Sequence, residues 1–279
     1  MTDRSTPADD NRIVVGVFNR AAETYESIGV EFFSLFGRWL VEAAAPAPGE
    51  RVLDVGCGRG AATIPAALTV GAAGHVTAFD LAPRMVELLQ ADIAARGLNN
   101  VDVRIGDAQA PGGEPASFDC VLASLVIFLL PDPDAALRAW FQLLRPGGRI
   151  AIATFGADDE RWSWMRDLRR FVPEERRRSR DLADPRWRDA QHVRDMLSGA
   201  GFSDVVSRER EQIVRFRDVD HWVTWTHSQG QRFLWEQIPA SRHDEMTRIA
   251  AEYMQSYRDP DGTIPLRSIL RITTGRRPA

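Results

Sequence analysis

Short apolar runs alternate with longer amphipathic segments through the first half of the chain. Val52, Leu53 and Val55 form a run suited to a strand buried on both faces. Further runs of this kind stand at residues 75–80, 101–107, 118–124 and 149–155. The segments between them carry apolar residues at helical spacing and end at Gly- or Pro-rich turns. Strands and helices alternating in this order predict a doubly wound α/β fold with a parallel sheet.

The two ends of the chain depart from this order. A polar start rich in Asp, Ser, Thr and Pro predicts disorder. An Arg-rich, Trp-containing stretch follows the fifth run, and we interpret it as an amphipathic lid helix, with an anion-binding clamp for the substrate as the alternative. The predicted segments are a disordered tail at 1–11, N-terminal cap helices at 12–48, a ligand-binding core at 49–156, a lid helix and sixth strand at 157–217, a helical insertion at 218–264 and a last strand at 265–279.

The first strand run leads into a glycine-rich turn, in the sequence R-V-L-D-V-G-C-G-R-G. Gly56, Gly58 and Gly60 stand at alternate positions and are followed by a predicted helix. Glycine lets the backbone bend sharply and pass close to a ligand, and the start of a helix offers unpaired N–H groups. This pattern predicts a nucleotide cradle. Pro65 would then lie in the second turn of the helix, where a proline costs a hydrogen bond or bends the axis.

Three acids end three successive strand runs. Asp54 comes two residues before the first glycine, Asp80 comes twenty residues after Gly60, and Asp107 closes the third run. The glycine spacing alone also fits a dinucleotide fold, in which an acid such as Asp80 binds ribose hydroxyls. An acid at Asp54 would repel a pyrophosphate, whereas a phosphate-free ligand with a cationic end would be attracted. The pattern therefore favours S-adenosylmethionine over a nicotinamide dinucleotide.

These motifs, in this order, resemble those of the class I S-adenosylmethionine-dependent methyltransferases. The closest subgroup acts on small molecules and includes the ubiquinone/menaquinone-type C-methyltransferases and natural-product methyltransferases. The resemblance covers roughly residues 13–155 and implies a Rossmann-like, seven-stranded, mostly parallel sheet with an antiparallel last strand, N-terminal helices and a helical lid insertion. The residues that carry it are D54-V-G56-C-G58-R-G60, Asp80, G106-D107-A108, F118-D119-C-V-L-A-S124 and L144-R-P146-G147-G148.

The resemblance implies a role for each residue at the cofactor. Carboxylates would bind the ribose hydroxyls, the adenine amino group and the ammonium group, at Asp80, Asp107 and Asp54 respectively. Tyr25 would approach the methionine end, with a packing tyrosine as the alternative, and Met85 is equally compatible with ordinary core. The cofactor-binding residues expected on this basis are Tyr25, Asp54, Gly56, Gly58, Gly60, Asp80, Leu81, Met85, Asp107, Ala108 and Ser124.

The methyl acceptor is chosen outside these motifs. We expect transfer to an O, C or N atom of a small, largely apolar metabolite, because residues 125–130 after the fourth strand are apolar where the family often has polar residues. His221 and His227 are the candidate bases, and catalysis by alignment alone stays open. The residues expected to line the acceptor pocket are Phe128, Trp162, Trp222, Trp225 and Phe233. The alternative is a non-methylating enzyme, such as a cyclase, on the same scaffold.

Composition narrows the classes of partner. The net charge of −4 gives no electrostatic reason to expect nucleic acid binding, and two cysteines with five histidines do not suggest a metal site. All 35 basic residues are Arg, so Schiff-base chemistry on Lys is excluded. No apolar run reaches the roughly 18–20 residues that cross a bilayer, and no signal peptide is evident. We expect a soluble cytoplasmic enzyme without a metal or membrane partner, and we leave a homodimer open.

Overall fold

The computed structural model describes residues 7–174 and 184–279 of the chain. These residues form two compact units. The insertion unit consists of Met1–Phe32, Ala157–Asp181 and Glu211–Ile269. The core unit consists of Phe33–Gly156, Leu182–Arg210 and Leu270–Ala279.

Helices and strands alternate along the chain as the apolar pattern predicts. The short 3₁₀ segments are Ile127–Leu129, Glu160–Phe171, Pro185–Arg188 and Ala240–Arg242. The α-helices are α1 Pro7–Ala21, α2 Phe33–Ala44, α3 Thr63–Val70, α4 Pro83–Ala95, α5 Pro133–Leu143, α6 Ala190–Gly199, α7 Val219–His227, α8 Arg232–Gln237 and α9 His243–Gln255. The strands are β1 Arg51–Val55, β2 His75–Asp80, β3 Val101–Ile105, β4 Phe118–Ser124, β5 Leu144–Phe155, β6 Ser203–Phe216 and β7 Ile264–Arg276.

The seven strands form one sheet in the order β3-β2-β1-β4-β5-β7-β6. The first five strands in this order are parallel neighbours, and β7 runs antiparallel to β5, from the pair Arg149 and Arg276 to the pair Phe155 and Leu270. This topology confirms the predicted fold class. It also places the carboxyl ends of β1 to β5 at one edge of the sheet, which we call the carboxyl edge.

Helices of the core unit cover both faces of this sheet. On one face, α5 and α6 pack on apolar strand residues such as Ile150 and Ile152, and Trp140 of α5 is fully buried there. On the other face, α4 packs on Ala78 and Val103. Side chains alternate between the faces of a strand, so strands covered on both sides read as the nearly continuous apolar runs seen in the sequence.

Two predicted segments differ from the structure. The tail expected to be disordered at 1–11 is helical from Pro7, because proline suits the first position of a helix. The predicted lid helix at 157–217 is instead a 3₁₀ segment, Glu160–Phe171, followed later by α6 and β6. Four apolar side chains of the 3₁₀ segment are buried, which explains why the stretch folds although most of its other residues are charged. Residues 1–6 and 175–183 of these segments lie outside the described part of the chain.

Pro65 fits the structure because α3 begins later than the sequence suggests. The helix starts at Thr63, so Pro65 is its third residue. The first four N–H groups of a helix have no acceptor within the helix. The proline therefore costs α3 no internal hydrogen bond, and the expected bend is not required.

The backbone of α2 packs directly on the segment that leads from the glycine turn into α3. A Cβ atom added at Gly37 would lie 2.0 Å from the carbonyl oxygen of Ala61 and 2.8 Å from the nitrogen of Ala62. Only a glycine permits this approach. The position of the turn is therefore fixed from the outside by α2.

None of the helices among residues 7–174 and 184–279 is long and apolar enough to cross a membrane.

We predict that Gly37→Ala destabilises the protein by about 1–3 kcal/mol, because the new methyl group overlaps the Ala61 carbonyl and forces α2 away from the turn. Urea unfolding followed by circular dichroism measures the effect. Gly199→Ala is the matched control. Its Cβ would meet nothing within 4 Å, so we expect unchanged stability or a gain of up to about 1 kcal/mol from helix propensity. Equal stability of the two variants would contradict the tight packing at Gly37.

Candidate functional site

The turn between β1 and α3 has a backbone that favours glycine at three positions. The φ angles of Gly56, Gly58 and Gly60 are 68°, 53° and 85°, which is the left-handed region. A Cβ atom at Gly56 would lie 2.4 Å from Val126, and one at Gly60 would lie 2.4 Å from Leu89. A Cβ atom at Gly58 would meet nothing within 4 Å. Two glycines therefore serve packing, and the third borders open space where a ligand can approach the backbone.

Asp80 ends β2 and holds this turn in place. Its Oδ2 atom accepts a hydrogen bond from the Gly58 N–H, and its Oδ1 atom accepts one from the Ala82 N–H, both at 2.8 Å. Burial raises the pKa of Asp80, although these backbone hydrogen bonds oppose the shift. Each carboxylate oxygen has two lone pairs, so each can still accept a hydrogen bond from a ligand hydroxyl.

Asp54 of β1 is the most deeply buried acid of the site. Its side chain is 0% exposed, and Thr63 donates a hydrogen bond of 2.5 Å to its Oδ2 atom. No described residue donates to its Oδ1 atom. Burial, helped by the charge of Asp80 and opposed by the Thr63 hydrogen bond, raises the pKa of Asp54 to about 7. A buried oxygen without a partner is costly, and this one fits the cationic end of a ligand.

Hydrogen bonds also fix the turn after β3. Asp107 accepts a hydrogen bond of 2.9 Å at its Oδ1 atom from the Gln109 N–H. The buried indole of Trp140 donates a hydrogen bond of 2.7 Å to the Ala108 carbonyl. Gln109 in turn accepts a hydrogen bond from the Asp132 N–H at the start of α5. The Asp107 carboxylate is thus held at the carboxyl edge, beside the ends of β1 and β2.

The remaining predicted residues of the core unit lie around the same edge. Leu81 follows Asp80 and is partly exposed, whereas Met85 is 1% exposed within α4, which favours its reading as core. Ser124 is the partly exposed last residue of β4. Phe128 lies in the 3₁₀ turn just after β4, and its ring centroid is 5.8 Å from that of Phe155.

Two supporting residues escaped the sequence analysis as parts of the site. Thr63 is the first residue of α3 and the hydrogen-bond donor to Asp54. A hydroxyl residue just after a glycine turn that follows a buried acid is the signal that could have found it. Trp140 looked like an ordinary core residue, but a buried indole N–H needs an acceptor, and that requirement points to a specific partner.

The other predicted residues belong to the insertion unit. Tyr25 and Phe233 are partly exposed. Trp162, Trp222 and Trp225 are almost completely buried in an aromatic cluster, where Trp162 and Trp222 have ring centroids 6.3 Å apart. This packing orders the unit. A role for these rings at an acceptor stays a prediction.

The two candidate bases differ in their surroundings. His221 is buried, its Nδ1 atom accepts from the Arg217 N–H at 3.3 Å, and its Nε2 atom lies 3.2 Å from the Ile28 carbonyl oxygen. His227 is partly exposed and stacks on Trp235 at a centroid distance of 4.8 Å. The structure shows no hydrogen bond from a described residue to the ring nitrogens of His227.

The pKa of His227 is lowered by burial and then by the charges of Arg232 and His243, while Glu236 opposes the shift. His227 is therefore neutral at pH 7, with nitrogen lone pairs that can accept a proton. In the described part of the chain, no group of three or more His, Cys, Asp or Glu residues could hold a metal ion.

Comparison with known proteins identifies relatives of this site. Residues 46–197 match a family model described as a methyltransferase domain. The nocamycin O-methyltransferase of Saccharothrix syringae is 36% identical over 251 residues, which are 86% of this chain and 89% of that protein. The aklanonic acid methyltransferase DauC of Streptomyces sp. strain C5 is 44% identical over 141 residues, which are 50% of this chain and 64% of that protein.

Solved structures share the fold. A putative methyltransferase from Bacillus halodurans has a TM-score of 0.57 at 22% identity, and the match covers 86% of this chain and 98% of that one. At this level of identity the likeness supports the architecture alone.

We predict that binding of S-adenosylhomocysteine weakens roughly tenfold when the pH falls from 7.5 to 6, because the ligand's ammonium group requires an ionised Asp54 and that carboxyl takes up a proton below about pH 7. The same raised pKa makes the ligand-free protein less stable as the pH rises through 7, since ionisation then leaves a buried charge. Isothermal titration calorimetry across this pH range measures the affinity.

Asp54→Asn should bind more weakly at pH 7.5 and lose most of the pH dependence; the raised pKa of Asp80 accounts for the remainder. Asp119→Asn is the control, because Asp119 lies near the opposite end of β4, and it should keep the wild-type profile. An unchanged pH dependence in Asp54→Asn would show that Asp54 does not face the ammonium group.

Proposed function

The chain belongs to the class I S-adenosylmethionine-dependent methyltransferases, and on that premise we propose that it methylates an oxygen atom of a small, largely apolar natural product. Two relatives support the acceptor class, because one is named a nocamycin O-methyltransferase and the other an aklanonic acid methyltransferase. The observation that carries the proposal is the unpartnered, buried Oδ1 atom of Asp54 beside a glycine turn with open space at Gly58.

We assign the cofactor's parts to the carboxyl edge of the core unit. Asp80 would bind the ribose hydroxyls, Asp107 with the Ala108 backbone would bind the adenine, and Asp54 with the Gly56 backbone would face the ammonium group. Leu81 and Met85 would pack on the adenine, and Ser124 and Tyr25 would lie at the methionine end. The donor set fits this ligand, because the groups are carboxylates and backbone amides with no cationic side chain among them.

When bound, the cofactor supplies an electrophilic methyl group on a sulfonium. The chain's contribution is to hold the acceptor oxygen in line and to exclude water, since a dry site disfavours the charged reactant relative to the transition state. Leu125, Val126 and Ile127, just after β4, are buried and apolar and support such a site. Alignment alone can lower a barrier by about 7–11 kcal/mol.

We further propose His227 as the base for an acceptor hydroxyl. Its support is the lowered pKa and the unbonded ring nitrogens, whereas both nitrogens of His221 are engaged with backbone groups. Phe128 and Phe233 are the proposed acceptor contacts that remain partly exposed, and the buried Trp162, Trp222 and Trp225 would shape the pocket from behind.

Two coarser assignments accompany this function. The net charge of −4 supports a free small molecule over nucleic acid as the acceptor. Both cysteines are buried and unpaired, which supports a cytoplasmic place of action. No observation favours the non-methylating alternative.

We predict that the enzyme, given S-adenosylmethionine and aklanonic acid as the first acceptor probe, yields a product heavier by one methylene unit together with S-adenosylhomocysteine in equal amount. Mass spectrometry of both products measures this outcome. Asp80→Ala, which removes the proposed ribose contact, should lose the activity. A product of unchanged mass formed without consumption of the cofactor would instead support the cyclase reading.

We predict that His227→Asn lowers kcat by about 10²-fold or more and removes the decline of kcat on the acid side, because no base remains to accept the hydroxyl proton. In the wild type this decline should lie below pH 6.5, since the pKa of His227 is lowered. The pH dependence of kcat is the measurement.

His243→Asn is the matched control, because His243 contacts the same Trp235 ring at 5.2 Å but faces backbone carbonyls. It should lower stability and keep the shape of the pH profile. If His227→Asn also kept that shape, alignment without a base would be the mechanism.

A further inference from the structure

Two buried polar side chains on the core unit lie outside the proposed cofactor contacts. Thr154 of β5 and Arg271 of β7 are direct register partners across the antiparallel pair. Direct partners place their side chains on the same face of a sheet. Thr154 is 0% exposed and Arg271 is 5% exposed. A guanidinium group and a hydroxyl group are thus enclosed next to each other.

Both side chains carry a polar atom that lacks a partner. The Nε and Nη2 atoms of Arg271 donate to Glu209 Oε1 at 3.0 and 2.6 Å. Its Nη1 atom and the Oγ1 atom of Thr154 have no hydrogen-bond partner among the residues that the structure describes. Buried donors are nearly always satisfied in folded proteins, and an unsatisfied charged group is the most costly case.

The neighbouring polar residue on the same face is satisfied. Thr273 is also 0% exposed, but its hydroxyl shares a hydrogen bond of 2.8 Å with Ser207. The missing partners are therefore specific to Thr154 and Arg271. They do not reflect a general lack of acceptors on this part of the sheet.

The local charge favours an anionic partner. Glu209 neutralises Arg271 formally, but the Glu209 side chain is 45% exposed while that of Arg271 is 6% exposed. Water screens an exposed charge far more than a buried one. The Nη1 side of Arg271 therefore remains electropositive toward the interior.

Thr154 also lies at the edge where the cofactor is proposed to bind. It is the residue before the end of β5. Ala153, just before it, is the register partner of Ser124, the last residue of β4. Phe155, just after it, contacts Phe128, a proposed acceptor contact. The carboxyl edge of an open α/β sheet is where ligands bind.

We propose that Arg271 Nη1 and Thr154 Oγ1 bind an anionic oxygen of the methyl acceptor, either a carboxylate or a phenolate. The inference rests on the proposed function and narrows it to an apolar metabolite that carries an acidic group. Arg271 supplies a paired donor geometry suited to an oxyanion, and the Thr154 hydroxyl adds a second donor.

The test uses benzoate and 4-nitrophenolate as probes, because both are small enough to need only the anion site. Thermal unfolding of the full chain with S-adenosylhomocysteine is measured at pH 8, with sodium chloride matching the ionic strength. At a few-fold excess over Kd we expect at least one probe to raise the Tm by about 2–4 °C. The probe with the larger effect distinguishes the carboxylate from the phenolate.

Thr154→Val removes the hydroxyl and keeps the shape of the side chain. We expect unchanged or slightly higher stability, because an unsatisfied hydroxyl is lost, and a roughly tenfold weaker apparent Kd for the anion. Thr273→Val is the matched control. It should lower stability, because it breaks the bond to Ser207, and it should leave the anion response intact. Arg271→Lys, which keeps the charge but not the fork, should also weaken the response.

An undiminished anion response in Thr154→Val, or no response of the wild type to either probe, would overturn the proposal. Failure of the proposed function is distinguishable, because it would show as no Tm rise with S-adenosylhomocysteine itself, measured before either probe is added.

Discussion

The structure depends on a buried carboxyl group that is held at the end of a strand without a full set of partners. Asp54 can occupy this position because parallel strands bring their carboxyl ends to one edge, where Asp80 and Asp107 stand beside it. Thr63 satisfies one of its oxygens and leaves the other for a cation. The same burial that makes the site costly raises the pKa of the acid to about 7. Cofactor binding and proton release are therefore coupled in this site.

Much of the core unit could be predicted from the sequence, since the signals there are local. The bounds of β2 and β4 agree with the apolar runs that predict them, and Asp132 caps α5 as a Ser/Asp-type residue before a proline suggests. The start of α3 could not be predicted, because α2 decides it from a distance. Gly37 allows that helix to press on the Ala61 carbonyl, a contact that no short window of sequence contains.

The insertion unit was harder to interpret for a related reason. Its aromatic residues signal burial, but the sequence does not distinguish a ring that lines a pocket from a ring that supports it. In the structure Trp162, Trp222 and Trp225 pack on aromatic neighbours, and His221 is tied to backbone groups. The unpaired groups of Thr154 and Arg271 were equally hidden. A polar residue within a strand is visible in sequence, whereas the absence of its partner appears only when the neighbouring strands are in place.

A crystal structure of the chain with S-adenosylhomocysteine tests the central claim most directly. The account predicts the adenosine at the carboxyl edge, with both ribose hydroxyls within hydrogen-bond distance of Asp80 and the ligand's ammonium group next to the Oδ1 atom of Asp54. A ligand bound at the opposite edge of the sheet, or at this edge with its ammonium group away from Asp54, would contradict it.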